Sequence, residues 1–211
     1  KNLTPKSWIA YYESISFKLK EWNDIYSPES PFSVKKHWGA LPFRVWQIVD
    51  EMIHFAEQGK QNDFLCAGGV LIHYVGDACQ PLHSSYLSQG DPNTPVTREL
   101  KSGPNKGKRS TEMRGVKVHA GYEDEMINVN AKKIVGALEA EIRTQEIDSK
   151  EKIIDINSGF DAALALMNLL QATQDTLAPA DIVEKWDEVK SLPKKQREIE
   201  MSDAFLDRTI R

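Results

Sequence analysis

The strongest constraint on the fold is apolar periodicity at the spacing of an α-helix, which recurs in nearly every long segment. Residues 157–176 are apolar on almost every side, which is typical of a helix at the centre of a bundle. No segment alternates persuasively between apolar and polar residues, so no strand is predicted. Near the start of the chain, between residues 4 and 22, one helical stripe comprises Trp8, Ile9, Tyr12, Ile15, Leu19 and Trp22. The sequence therefore predicts an all-α protein, a multihelical bundle forming a single domain over residues 1–211.

Residues 84–117 interrupt the helical pattern with Ser, Gly, Pro, Asn and Thr, and this composition predicts a long loop. The second half of the loop is basic, with seven Lys and Arg residues against Glu99 and Glu112, in a chain whose net charge is −4. Such a loop is either a solvated surface segment or a flap that attracts a phosphate-bearing ligand. The candidates for that contact are Arg98, Lys101, Lys106, Lys108 and Arg109.

The composition is that of a soluble globular protein, with 40% hydrophobic and 27% charged residues. No apolar run approaches the roughly 20 residues needed to span a bilayer. Cys66 and Cys79 lie within and at the end of one predicted helix, so they are about 20 Å apart along its axis. Because that separation is too large for a disulfide, we expect two small, buried thiols.

Five potential metal ligands lie in two short stretches of sequence, HYVGDACQPLH and HAGYE. His73 and Asp77 are one helical turn apart, as are His119 and Glu123, so each pair projects from one side of its helix. His83 follows a proline turn that can direct its imidazole back towards the same place. Imidazole nitrogen and carboxylate oxygen are the ligands that zinc accepts where thiolates are absent. Five ligands exceed the needs of one tetrahedral ion, which predicts two ions, or one ion with further polar groups around it.

These residues resemble the central motif of the zinc-dependent phospholipase C and S1/P1 nuclease superfamily, which has H-x-x-x-D, then Q-P-x-H, then a later H-x-x-x-D/E. Glutamate at position 123 is similar to the phospholipase C version, whereas Cys79 occupies a position that is often histidine in the nucleases. The resemblance implies a multihelical bundle of the phospholipase C/P1 nuclease type and an exported protein, periplasmic or secreted. The matching residues are His73, Gly76, Asp77, Gln80, Pro81, Leu82, His83, His119 and Glu123.

The resemblance also implies up to three zinc ions. One would be held by His83, His119 and Glu123, a second would be bound by His73, and Asp77 would bridge the second to the third.

Family members complete the second and third sites with upstream ligands: an N-terminal Trp, an early His, and a later His and Asp. Lys1 stands where that Trp would be, and no histidine precedes His37, which we expect at the surface. We therefore expect either that a ligand-bearing segment lies upstream of Lys1 or that the site is reduced. Asp50 and His54, another pair one turn apart, are an alternative source of ligands.

The function implied by the resemblance is hydrolysis of a phosphodiester by metal-activated water, with nucleic acid as the favoured substrate and a phospholipid head group as the alternative. Asp77 is expected to act as a bridging ligand, and no catalytic base is assigned. A function of another class is a non-catalytic helical binding protein in which a structural zinc joins the helices to the long loop. A third possibility is a helical bundle without metal.

Overall fold

The structure is a computed structural model that describes residues 41–99, 103–148 and 154–210. The apolar stripe of residues 4–22, His37 and Lys101 therefore lie outside the described residues. The chain divides into two compact units, one built from residues 1–79 and 153–172 and the other from residues 80–152 and 173–211.

Helices make up most of the described chain, so the prediction of an all-α protein is confirmed in its coarser form: the protein is mainly helical. A two-stranded antiparallel hairpin lies between the second and third helices, and a π-helical turn, Glu123–Ile127, joins the third helix to the fourth. In chain order the elements are α1 (Leu41–Glu57), α2 (Gln61–Ala78), β1 (Asp91–Glu99), β2 (Arg109–Arg114), α3 (Val118–Tyr122), α4 (Asn128–Asp148), α5 (Gly159–Thr176), α6 (Pro179–Val189) and α7 (Lys194–Ile210).

The hairpin lies within residues 84–117, where the sequence predicted a long loop, and it corrects the prediction that the chain contains no strand. Its strands pair from Pro95 opposite Met113 to Glu99 opposite Arg109, and the hydroxyls of Thr97 and Thr111 form a hydrogen bond of 2.9 Å across them. Most of the strand residues are exposed, so no apolar alternation marks them in the sequence. Polar cross-strand pairs and contacts with α6 stabilise the hairpin instead.

In the first unit, α1 and α2 form an antiparallel pair whose buried residues pack with α5. The core is small and consists of Val45, Ala78, Ala162 and Leu166, with partly buried apolar side chains around it. At the start of α5, a Cβ on Gly159 would lie 2.2 Å from the ring of Trp46, so only glycine fits there.

In the second unit, the helix formed by α3, the π turn and α4 packs on α6 and α7. Tyr122, Met126, Ile182 and Met201 are almost completely buried in this core. The Tyr122 hydroxyl forms a hydrogen bond of 2.8 Å with Thr209 on α7. Burial raises the pKa of the Tyr122 phenol more than this bond and the charge of Arg208 lower it.

Within the described ranges, no helix has the length and apolarity required to cross a membrane. Cys66 and Cys79 are free, as expected, but both are exposed, so the prediction that they are buried was wrong.

Candidate metal centre

The first ligand of the candidate centre, His83, lies on the tight turn that follows α2. Its backbone N–H donates to the carbonyl of Gln80 at 3.0 Å, which closes the turn. Leu82 is fully buried and anchors the turn in the core of the second unit. The hydrogen bond to Gln80 and the burial of Leu82 together fix the backbone of the turn. The fold therefore sets where the His83 side chain lies.

The second and third ligands lie on the helix that begins with α3. Gly115 and Lys117 both have positive φ, 67° and 66°, and this left-handed backbone turns the chain from β2 into the helix. His119 lies in α3 and Glu123 at the first position of the π turn, four residues later. A π turn is rare, and it occurs frequently at functional sites.

The side chains of His83, His119 and Glu123 converge on one point. The Nε2 atoms of the two histidines are 3.0 Å apart, and Glu123 Oε1 lies 3.0 Å from His119 Nε2 and 3.3 Å from His83 Nε2. Ligand atoms 2.0–2.1 Å from a tetrahedral zinc would be separated by about 3.3 Å. The donor set and its spacing therefore fit one zinc ion, with room for a fourth ligand from solvent or elsewhere.

Two amide side chains contact these ligands and hold them. Gln80 is buried, and its Nε2 donates to Glu123 Oε1 at 3.0 Å while its Oε1 accepts the backbone N–H of Leu82 at 2.5 Å. The second of these bonds fixes which end of the amide faces Glu123. Gln89 Nε2 lies 3.4 Å from Nδ1 of His119, on the far side of that ring.

The environment keeps the carboxylate of Glu123 ionised. Burial on its own would raise the pKa of Glu123, but the hydrogen bond from Gln80 and the charges of His119 and His83 outweigh burial, so the pKa is lower than usual. An ionised carboxylate beside two imidazoles is suited to binding a cation.

Helix α6 supports the segment that carries His119. The indole N–H of Trp186 donates to the carbonyl of Val116 at 2.9 Å, and the Trp186 ring packs so closely on α3 that a Cβ on Gly121 would lie 2.5 Å from it. Asp187 Oδ1 accepts the backbone N–H of Gly115 at 3.0 Å. The sequence did not predict this support. Trp186 lies more than sixty residues from Gly115 and Gly121, and no local pattern indicates that they are in contact.

Asp187 also anchors the hairpin. Its carboxylate forms ion pairs with Arg98 at 2.5 Å and with Lys190 at 3.0 Å. Burial opposes ionisation of Asp187, but the Gly115 N–H, Lys190 and Arg98 together hold its pKa below the usual value. Lys190 and Arg98 also pair with Glu112 of β2, so four charged side chains join the hairpin to α6.

The basic residues predicted to contact a ligand therefore differ in role. Arg98 is half-buried in the ion-pair network, which gives it a structural function. Lys106, Lys108 and Arg109 are exposed at the end of the hairpin, where Lys108 donates to Asn105 at 3.1 Å. Lys101 lies outside the described residues.

His73 and Asp77 belong to the first unit and are not members of the three-ligand cluster, as far as the described residues extend. They face each other on α2, with His73 Nε2 3.5 Å from Asp77 Oδ2, and the His73 side chain is 72% exposed. The alternative pair is used structurally: Asp50 Oδ1 accepts the backbone N–H of Gly159 at 2.8 Å, and His54 contacts Gln58.

Two serines next to His83 have local structural partners. Ser84 donates to the carbonyl of Pro81 at 3.0 Å and accepts a hydrogen bond from Gln174, while Ser85 accepts the backbone N–H of Leu87 at 3.1 Å. Neither contact is with an imidazole, which is the base that activates a serine nucleophile.

Comparison with known proteins identifies a relative of this chain. A protein of Bradyrhizobium tropiciagri named a probable serine protease is 33% identical over 187 residues, which covers 89% of this chain. The chain spans only 23% of that relative's length. No family model matches the chain, and no solved structure matches it.

The name of this relative contradicts the predicted phosphodiesterase activity. Over most of its length the chain resembles a protein named a probable serine protease, and that name does not agree with a zinc-dependent enzyme that cleaves nucleic acid or phospholipid. The predictions of phosphodiesterase, nuclease and phospholipase C activity were therefore wrong. A shared metal-ligand motif did not determine the reaction because the same ligands serve many chemistries.

Proposed function

We propose that this chain is a zinc-binding helical module of a peptidase-type protein, in which the zinc is structural and the chain does not supply the nucleophile. The observation that carries the proposal is the convergence of His83, His119 and Glu123 within hydrogen-bonding distance of one another. The likeness to a probable serine protease supports the peptidase-type context. The chain matches only a minor part of that relative. A peptidase activity of the whole protein to which this chain belongs is therefore also a proposal.

A structural role for the ion follows from where its ligands lie in the chain. His83 precedes the β1–β2 hairpin and His119 follows it, so a single ion would close the hairpin-bearing segment at its base. Because the three ligands come together only in the folded chain, binding of the ion would stabilise the folded state relative to the unfolded one.

The groups around the ligands also favour structure over catalysis. Zinc supplies hydrolytic chemistry by lowering the pKa of a bound water, and a nearby base then takes the proton. Gln80 and Gln89, which contact the ligands, are amides that neither take up nor release a proton near neutral pH. Glu123 itself is one of the ligands, so its carboxylate is already occupied.

The metal part of the proposal is tested by zinc content. Purified chain should contain one zinc by mass spectrometry of metals, and His83→Ala or His119→Ala should lose it. His54→Ala is the matched control, because His54 is exposed on α1 and outside the cluster. Equal zinc content in all four proteins would refute the site.

The non-catalytic part is tested separately with a fluorophosphonate probe, which labels active serine nucleophiles, and with a casein substrate. We expect neither labelling nor cleavage by this chain, with or without zinc. Labelling that Ser84→Ala or Ser85→Ala abolishes would contradict the proposal, even if the zinc site were correct.

We also propose that the helices have the phospholipase C/P1 nuclease arrangement without that family's activity. The ordered motif from His73 to Glu123 and the mainly helical structure support it. We propose one ion, because three side chains converge on a single point. His73 and Asp77 supply at most two ligands, too few to hold a second ion by themselves. An experimental structure of the zinc-loaded chain, compared with members of that superfamily, tests the arrangement and the number of ions.

A further inference from the structure

The strands β1 and β2 are attached to α6 by charged side chains and not by apolar packing. Within the described part of the chain, no residue of either strand is buried, and none packs in the apolar core of the second unit. Three ion pairs cross from the strands to α6 and its C-cap: Arg98 with Asp187 at 2.5 Å, Arg114 with Glu184 at 3.0 Å, and Glu112 with Lys190.

An attachment of this kind can be released without unfolding the unit. The three strand side chains in these pairs are between 36% and 40% exposed. Ion pairs between side chains that solvent reaches are weak, and dissolved salt screens them. The strands can therefore leave α6 while the buried core of the second unit stays intact.

Both ends of the hairpin meet the surroundings of His119. At one end, residues 115–117 join β2 to α3, which carries His119. At the other end, just before β1, Gln89 Nε2 lies 3.4 Å from His119 Nδ1. The two ends are pressed together, since a Cβ on Gly90 would lie 2.7 Å from the carbonyl oxygen of Arg114. A movement of the hairpin is therefore transmitted to His119.

One carboxylate joins the attachment of the hairpin to the segment that leads to His119. Asp187 Oδ2 accepts a hydrogen bond from Arg98 on β1, and Asp187 Oδ1 accepts the backbone N–H of Gly115 at 3.0 Å. Gly115 also lies close against α6, because a Cβ there would be 2.7 Å from Cγ1 of Val183. Since a single rigid group makes both contacts, a shift that breaks one of them changes the geometry of the other.

We propose that docking of the hairpin on α6 regulates the candidate metal centre. The docked hairpin holds Gly115 and Gln89 where His119 converges with His83 and Glu123, and its release lets His119 turn away from them. Because binding free energies are linked, zinc must favour the docked hairpin by the same factor by which docking favours zinc. The inference rests on the proposed zinc site.

The test is zinc affinity, measured by competition with a chromophoric chelator, in the native chain, Arg98→Met and Arg208→Met. Arg208 is the matched control, because it is 41% exposed against 40% for Arg98 and also pairs with a carboxylate of α6, Asp181, but lies on α7. Arg98→Met should weaken zinc binding by about fivefold or more, within the range of known couplings, and Arg208→Met should leave it unchanged.

Salt supplies a readout that a merely structural role for Arg98 would not change. Raising sodium nitrate from about 0.05 M to about 0.5 M should weaken zinc binding more in the native chain than in Arg98→Met, where the attachment is already broken. Equal affinities in native chain and Arg98→Met, or an equal loss in Arg208→Met, would overturn the coupling and leave the metal site intact. If the native chain binds no zinc, the metal site itself is refuted, and the coupling with it.

A second measurement needs no substitution at the attachment. Zinc should slow amide hydrogen exchange in β1 and β2 of the native chain by about fivefold or more, because it favours the docked hairpin. The slowing should be smaller in Arg98→Met, which separates docking from a general gain in stability. Unchanged exchange in the native strands, or the same slowing in both proteins, would also overturn the proposal.

Discussion

Replacement of Gly121 by alanine tests how α6 positions His119, a proposed metal ligand. An ideal Cβ at Gly121 would lie 2.5 Å from the Cε3 and Cζ3 atoms of Trp186. Packed carbon atoms stay about 3.5–4.0 Å apart, so α3 and α6 would have to separate by about 1 Å. The Trp186 ring is 6% exposed and is held by its bond to Val116, so it resists moving away.

The expected change in the free energy of unfolding follows from two opposing effects. Overpacking a core site costs about 1–3 kcal/mol, while alanine in place of glycine in a helix recovers up to about 1 kcal/mol. Gly136→Ala on α4 is the matched control, because no atom lies within 4 Å of its Cβ and only the second effect applies. We expect Gly121→Ala to be less stable than Gly136→Ala by about 2 kcal/mol, or about 4–8 °C in Tm.

The assay is thermal and urea unfolding of both variants, together with zinc affinity measured by competition and the visible spectrum of the cobalt-substituted protein. His119 moves with α3 whereas His83 belongs to another segment, so Gly121→Ala should weaken zinc binding by about tenfold or more. Gly136→Ala should leave both the affinity and the spectrum unchanged. If the two variants are equally stable, or bind zinc equally, the argument that α6 positions His119 is refuted.

Three further predictions address the ligands and their supports. Gln80→Leu removes the donor to Glu123 and should weaken zinc binding by about 10–100-fold in calorimetric titration, with an unchanged affinity as the contrary result. Chelation of zinc present at about 100 times its Kd removes about 2.7 kcal/mol of stability, and Tm should fall by roughly 5–11 °C in the native chain but not in His83→Ala. Asp187→Asn should lower the free energy of unfolding by about 2 kcal/mol at pH 7. Because the folded pKa of Asp187 is depressed, its contribution is complete above the unfolded pKa of about 4 and is lost as pH falls through the folded value. Urea unfolding at pH 7 and pH 3 should therefore show the difference from native protein shrinking in acid, and a constant difference would contradict the ion-pair anchor.

Much of the secondary structure, and the pairing of two of the three candidate metal ligands, were predictable from local sequence. The helix predicted over residues 157–176 is observed as α5, Gly159–Thr176, because apolar periodicity is a local property. The spacing of His119 and Glu123 likewise predicted their shared side of a helix, and their side chains lie 3.0 Å apart. The hairpin was not predictable, because its exposed strands are stabilised by charges on α6 and carry no alternation of their own.

The sequence by itself determined which residues could bind metal and that helices would carry most of them. The family resemblance had already grouped His83 with His119 and Glu123, and the structure brings their ligand atoms together. Only the tertiary structure decided that Arg98 is a structural anchor and that Gly121 must be glycine. The physical reason is the range of the interactions involved. Spacing along a helix is fixed by backbone geometry within a few residues, whereas the approach of α6 to α3 depends on packing between side chains more than sixty positions apart, which no local pattern encodes.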